Sequence, residues 1–316
     1  MRFISNSRVF HAFIALVGAS CAWQAQADSY TYQLVDHPGT AATQVFGINN
    51  KGSVVGNGFD ALNSYPFVYD SKKGTYTTVA PAAGYFNTHV LGINEAGVMV
   101  GRVDTSADGS TSSAFIRGKD GSFTVFSHPD AASFTEARGV NNTRLVSGWR
   151  DSSTGETVGF VYDSRKGTFT DIVPSLATIA QGINARGDVV GSATFPIADD
   201  PCPPSAGGTA RYGWLRTKDG TVTYFDVNGG RTSARGITDS GTIAGFVTDV
   251  TGVTKSFVVT LDGSQCQSIT VADADLLEFP GHDTTFAGGI SNPGVVVGAT
   301  NDPSGTSHGF IAKKVK

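Results

Sequence analysis

Histidine and aspartate residues carry most of the chemical potential of this 316-residue chain. His37, His282 and His308 are accompanied by Asp36, Asp283 and Asp302. Imidazole beside carboxylate can ligate a divalent metal or exchange protons as general acid and base. His37, His282, His308 and Asp283 are therefore the catalytic candidates. A second set is Asp60, Asp104, Asp151, Asp249 and Asp302, each three or four residues after the Gly of a short apolar strand. Carboxylates at repeated positions offer the oxygen donors that calcium takes. A third set is His89, His128, Trp149, Tyr85 and Phe86, joined by Phe134 and Phe279, whose rings suit stacking on a sugar or other flat ligand. A plainer reading stands beside each set. His37 and His128 precede Pro in equivalent turns, Asp302-Pro303-Ser304-Gly305 is an ordinary turn, and D-x-x-G turns account for Asp249 and Asp302. No G-x-S-x-G, H-E-x-x-H or phosphate-loop motif is present. No cofactor is predicted; a divalent metal is the one the His and Asp sets would accommodate.

These residues are carried on a repeat. Gly-Ile-Asn, a short turn and a small apolar strand ending in Gly recur six times: Gly47…Gly56, Gly92…Gly101, Gly139…Gly148, Gly182…Gly191, Gly236…Gly245 and Gly289…Gly298. The copies start 45, 47, 43, 54 and 53 residues apart. Each holds four strand-like runs, a to d, rich in Val, Ile, Thr and aromatics between Gly and Asp turns. Strand c carries a small residue and an aromatic, as in Ala114-Phe115-Ile116 and Gly213-Trp214-Leu215. No sustained 3.6-residue apolar period follows the leader. A period of 40–50 residues built from short strands predicts an all-β, six-bladed β-propeller of four-stranded blades. The sixth copy ends after strand c, and an unpartnered d-like strand, Tyr30–Val35, stands at the other end of the chain. The N-terminal strand is thus expected to close the last blade and remove an open sheet edge. The repeated Asn reads as the cap of the a–b turn, with a Gly of positive φ two or three residues on. The strand c aromatics read as core.

Function is then expected where the copies differ. The b–c and d–a loops share one face and are long and varied; the a–b and c–d turns share the other and are tight. The five histidines after the leader all fall on the loop face, with His37, His282 and His308 around the sixth blade. Variable loops on a rigid scaffold are where binding resides.

Residues 1–27 read as a cleaved secretory signal peptide: Arg2 and Arg8, an apolar run over 9–22, and Ala25-Gln26-Ala27. Residues 28–316 are then one propeller domain. The whole chain has a formal net charge of −4, and loss of the two leader arginines makes the remainder more acidic. That argues against a nucleic-acid partner, and no membrane span follows the leader. Cys202 lies in the b–c insertion of the fourth repeat and Cys266 just beyond the c–d turn of the fifth, on opposite faces. A strand spans about 17–20 Å and a disulfide needs Cα atoms within about 7 Å, so separate thiols are expected.

The unit G-I-N-x-x-G-x-V-V-G, followed by a strand such as His308-Gly309-Phe310-Ile311, resembles the HAF repeat of bacterial extracellular proteins. The likeness covers nearly all of the chain after the leader. Thr238, Ser291 and the Ser147 copy depart from it. The resemblance implies export, to the periplasm or the medium, and a repeat architecture; it implies no reaction. The expected function is a non-catalytic binding or cell-surface protein that takes a small molecule, glycan or protein on its loop face. The alternative is a propeller hydrolase or lyase acting on an ester, lactone, phosphate or glycan at a His/Asp site near the sixth blade.

Overall fold

A computed structural model describes residues 30–172, 177–202 and 209–315. The leader expected over 1–27 lies outside them. Six antiparallel sheets form a β-propeller, each sheet running a-b-c-d from the axis outward. The inner strands are Ala42–Ile48, Thr88–Ile93, Thr135–Val140, Ala177–Ile183, Arg231–Ile237 and Thr284–Ile290. Among the described residues no helix is long and apolar enough to cross a membrane.

The last blade closes with Tyr30–Val35 as its outermost strand. It pairs antiparallel with Ser307–Lys314, in register from Tyr30 opposite Lys314 to Val35 opposite Gly309. The strand c aromatics Phe67, Phe115, Phe160, Trp214, Phe257 and Phe310 have no exposed surface. Burial of each is worth about 2–3 kcal/mol. The repeated glycines mark where backbones touch. A Cβ on Gly92 would meet the Arg138 carbonyl oxygen of the next inner strand at 2.5 Å. The inner strands therefore pack against one another around the axis with no side chain between them.

The repeated Asn has two roles. Asn94 Oδ1 accepts from the amides of Ala96 and Val98, capping its own turn, while Nδ2 donates to the Asn141 carbonyl of the next blade at 3.1 Å. Asn49, Asn141 and Asn184 repeat the link to Asn94, Asn184 and Thr238. The copies that carry Thr238 and Ser291 instead are stitched one residue further on, with Asn292 accepting from the Asp239 amide and Asn50 from the Asn292 amide. Asn94→Asp keeps the cap, removes the donor and sets a buried carboxylate against a carbonyl. Urea unfolding is expected to show a loss of about 2–3 kcal/mol, and an unchanged midpoint would mean that the blade-to-blade link carries no stability. At the Gly position of this turn the third repeat has Arg144, held at φ 64°.

Two features depart from the repeat. The segment Cys266–Ile269, expected to begin the outer part of the fifth blade, instead adds in parallel to Val222–Val227 and makes the fourth blade five-stranded. The outer strand of the fifth blade is Asp275–Leu277, from within what reads as a d–a loop. The second departure corrects the cysteine expectation: Cys202 and Cys266 form a disulfide, with Cα atoms 5.6 Å apart. Residues 197–202 of the insertion fold back along the outer side of the fourth blade. There the Tyr212 hydroxyl bonds the Asp200 carboxylate at 3.0 Å and the Cys202 carbonyl at 3.1 Å. The crossing strand brings Cys266 opposite Tyr224, half-way down the same edge. Placing the two cysteines on opposite faces assumed that each stayed within its own repeat; Cys202 does, but Cys266 crosses to the fourth blade.

Candidate functional site

The structure separates the three histidines expected to gather at the sixth blade. His282 and His308 meet edge to face at 5.5 Å, and His282 packs on Phe279 at 4.5 Å. His37 lies instead in an aromatic cluster of the first blade, with Phe67 at 5.2 Å and Tyr76 at 5.8 Å. The Asp283 amide binds the Asn301 carbonyl. His308 Nδ1 lies 3.0 Å from Asp36 and Nε2 3.5 Å from Asp302. Partial burial lowers its pKa, the two carboxylates raise it, and the net shift is upward. The imidazolium clasps the segment after the closing strand to the b–c turn of the last blade. Stabilisation from a raised pKa is full below the unfolded value near 6.5 and fades as pH climbs through the folded one. The melting temperature of the parent relative to His308→Gln is therefore expected to fall as pH rises from 6.5. A pH-independent difference would contradict the clasp.

The aspartate ring is engaged locally. Asp60 binds the Tyr65 hydroxyl and the amides of Leu62 and Asn63, which hold its carboxyl down at about 2. Asp302 is likewise held at about 2, foremost by the Ser304 hydroxyl. Asp249 caps Thr251 and Val253, and Asp151 accepts from Ser133 and Phe134. Asp104 alone faces inward, buried against His89 and Arg102. Among the described residues, one group of three metal-ligating side chains comes together: His128, Asp130 and Asp171. His128 Nδ1 accepts the Asp130 amide, so Nε2 carries the proton toward Asp171 at 3.0 Å. Arg150 donates to Asp171 at 2.9 Å and to the Asp130 carbonyl at 3.0 Å. Its guanidinium neutralises this group as a cation would.

Variation between the blades is sharpest along the channel. All six inner strands read Thr-x-small-x-Gly, where the small residue is Ala or Val. The six threonines are buried, and Thr43, Thr88, Thr135, Thr232 and Thr285 each accept a backbone N–H from the chain just before the strand, as His128 donates to Thr135 at 3.1 Å. The two x positions vary around the ring, with Arg alone occurring twice, at the second of them. The first gives Gln44, His89, Glu136, Ile179, Ser233 and Phe286; the second gives Phe46, Leu91, Arg138, Gln181, Arg235 and Gly288. Opposite the first lies a third varied position on strand b: Asn57, Arg102, Trp149, Ser192, Phe246 and Ala299.

At the second and third blades these positions form one network. Glu136 is buried and accepts from Trp149 Nε1 at 2.9 Å and Arg102 Nε at 3.0 Å, and Arg138 also pairs with it. Trp149 stacks on Phe134 at 4.9 Å, and Arg102 lies 5.3 Å from the same ring. His89 reaches Asp104 at 3.1 Å. Burial and then the Arg102 charge press the His89 pKa down, so it is neutral at pH 7. His89 and Trp149, two of the expected ligand contacts, thus line the channel mouth. Tyr85 and Phe86 are exposed on the loop before the second blade, and His128 is buried in the third. Glu136, Arg138, Arg235 and Phe246 were not among the expected residues. The signal for them lay inside the most regular part of the repeat, at positions that change while their neighbours do not.

The fold places the chain in the six-bladed β-propeller class. No protein-family model matches it, and no curated protein does. Among solved structures, XC5397 from Xanthomonas campestris, described as a gluconolactonase, aligns at TM-score 0.51 and 9% identity over 92% of this chain and 96% of that one. The tricorn protease aligns at 0.51 and 14% identity over 88% of this chain, which corresponds to 26% of the protease. The β-propeller domain of the Trilobed protease from Pyrococcus furiosus aligns at 0.49 and 11% identity, over 87% and 98%. At these identities the likeness is one of fold.

Proposed function

We propose that this chain is an exported, non-catalytic binding protein of the HAF-repeat kind, which takes a small molecule into the mouth of its central channel from the loop face. The observation that carries this reading is the pattern of variation. Thr, the small residue, Gly and the turn are repeated because they build the ring, whereas the positions facing the channel differ from blade to blade. A closed ring needs no such asymmetry for stability. One side of the mouth is polar, with His89, Glu136 and Arg102; Phe286 and Phe246 make the other side apolar. A ligand with one flat apolar side and one polar side fits this surface. His308 has both ring nitrogens committed to carboxylates and His37 lies apart in the first blade, which weighs against the hydrolase reading. Export is supported by the leader sequence.

The test is a thermal-shift screen of the chain from residue 28 against acidic, neutral and basic small molecules and short glycans. A saturable rise in melting temperature, lost in Trp149→Ala with Phe286→Ala and with the ligand recovered unchanged, supports the reading. Turnover of the ligand would overturn its non-catalytic part, and a shift insensitive to both substitutions would overturn the channel as the site.

A further inference from the structure

We infer that the channel holds an anion site in which Arg235, aided by Arg138, binds a carboxylate or phosphate group of the entering ligand. This rests on the reading of the channel as the binding site. Arg235 is the anchor. Its guanidinium lies 4.9 Å from the Phe246 ring, its Nε is buried without a hydrogen-bond partner, and among the described residues it has no carboxylate partner. A guanidinium offers five donors in a fixed fork. Leaving the buried Nε–H of this half-buried fork unspent is costly unless something accepts it.

Glu136 is the nearby acid, and it is already spent on Trp149, Arg102 and Arg138. The remaining charges close to Arg235 are positive. Burial, then Arg138 and Arg211, bring its pKa down to about 9, which leaves it charged at neutral pH. In a chain of net charge −4, the guanidinium groups of Arg138, Arg211 and Arg235, from three adjacent blades, have been brought toward one another, and Glu136 pairs with Arg138 alone among them. Such an arrangement is stabilised by an anion between them, and paired guanidinium forks suit the planar or tetrahedral oxygens of carboxylate and phosphate.

The space sets the size of what enters. Phe46, Arg138 and Arg235 line a cavity of about 80 Å³ at the channel's waist. That is room for a few waters or for one such anionic group. The anionic group would therefore sit at the waist while the body of the ligand stays in the aromatic mouth above.

The experiment uses the whole chain from residue 28, disulfide intact and labelled with ¹⁵N-arginine. Inorganic phosphate and, separately, acetate are titrated at constant ionic strength while the Nε–Hε resonances of Arg235 and Arg138 are followed. A saturable shift with either anion is expected, and which anion binds tighter identifies the preferred group. Arg235→Gln, read at Arg138, should weaken the affinity about tenfold or more. Arg235→Lys, which keeps the charge and loses the fork, should fall between, and serves if the Gln variant does not fold. Arg165→Gln, on an exposed turn, should change nothing. A shift that is linear in both anions, or an affinity unchanged by Arg235→Gln, overturns the site. If phosphate or acetate saturates while no organic molecule stabilises the chain, the anion site stands and the binding-protein reading falls. If a neutral ligand binds in the mouth and Arg235 stays silent, the reverse holds.

Discussion

Gly101→Ala is expected to leave the chain largely unfolded at 25 °C. Gly101 lies within strand b of the second blade, Met99–Asp104, opposite Val90 at the bulge of the inner strand. A Cβ there would lie 2.9 Å from the His89 carbonyl carbon and closer still to its oxygen, with the Phe115 ring at 3.0 Å on the other side. The obstacle is backbone on one side and a fully buried aromatic on the other, so neither can rotate away. Relief requires the two innermost strands to separate, which would also break the blade's contact with its neighbours. A loss above about 4 kcal/mol is expected, the range reached by severe core overpacking. Circular dichroism and urea unfolding of the variant provide the check. A midpoint within about 1 kcal/mol of the parent would mean that the inner strands can part without cost. Gly56, Gly148, Gly191 and Gly245 present the same geometry and Gly298 the same backbone clash, so the effect should recur around the ring.

The second large effect is expected from the disulfide. Cys202 and Cys266 are 64 residues apart in sequence. Closing a loop of that length removes enough freedom from the unfolded chain to contribute about 4 kcal/mol. Replacing both cysteines by Ser should lower stability by that order. It should also release the insertion from the side of the fourth blade, because Tyr212 and the crossing strand would then hold it alone. Unfolding with and without reductant measures the first effect. Limited proteolysis over residues 197–208 measures the second. Equal midpoints for parent and double variant would show that the wrap is stable without its cross-link.

The contrast between these two features explains what the sequence disclosed. Gly101 belongs to a pattern that occurs six times, and a pattern of that kind reports the architecture by repetition alone. The blade count, the core aromatics and the closure by Tyr30–Val35 were legible for the same reason, since the split sixth copy left one strand short and one strand over. The disulfide was hidden because it depends on a single event. Cys266–Ile269 leaves its own blade to pair in parallel with Val222–Val227, and no other copy does this. The channel residues were hidden differently. Arg138 and Arg235 occupy the same place in their repeats as Phe46 and Leu91, and attention to what the copies share passes over what they do not. The loops themselves are also shorter than they read. Strands b and c extend to Phe59 and Ser64, and to Asp151 and Thr157, so several loops that read as long shrink to turns capped by Asp60 and Ser152.

The pairing of Tyr30 with Lys314 has a geometric consequence for how the molecule can be presented. The closing strand runs from the tight-turn face toward the loops, and its partner runs the other way, so both of these residues lie at the tight-turn face. Any chain leading into residue 30 or out of residue 314 therefore departs on the side opposite the mouth. A tether, a fused module or a solid support attached at either end would orient every copy alike, with the channel opening outward into the medium.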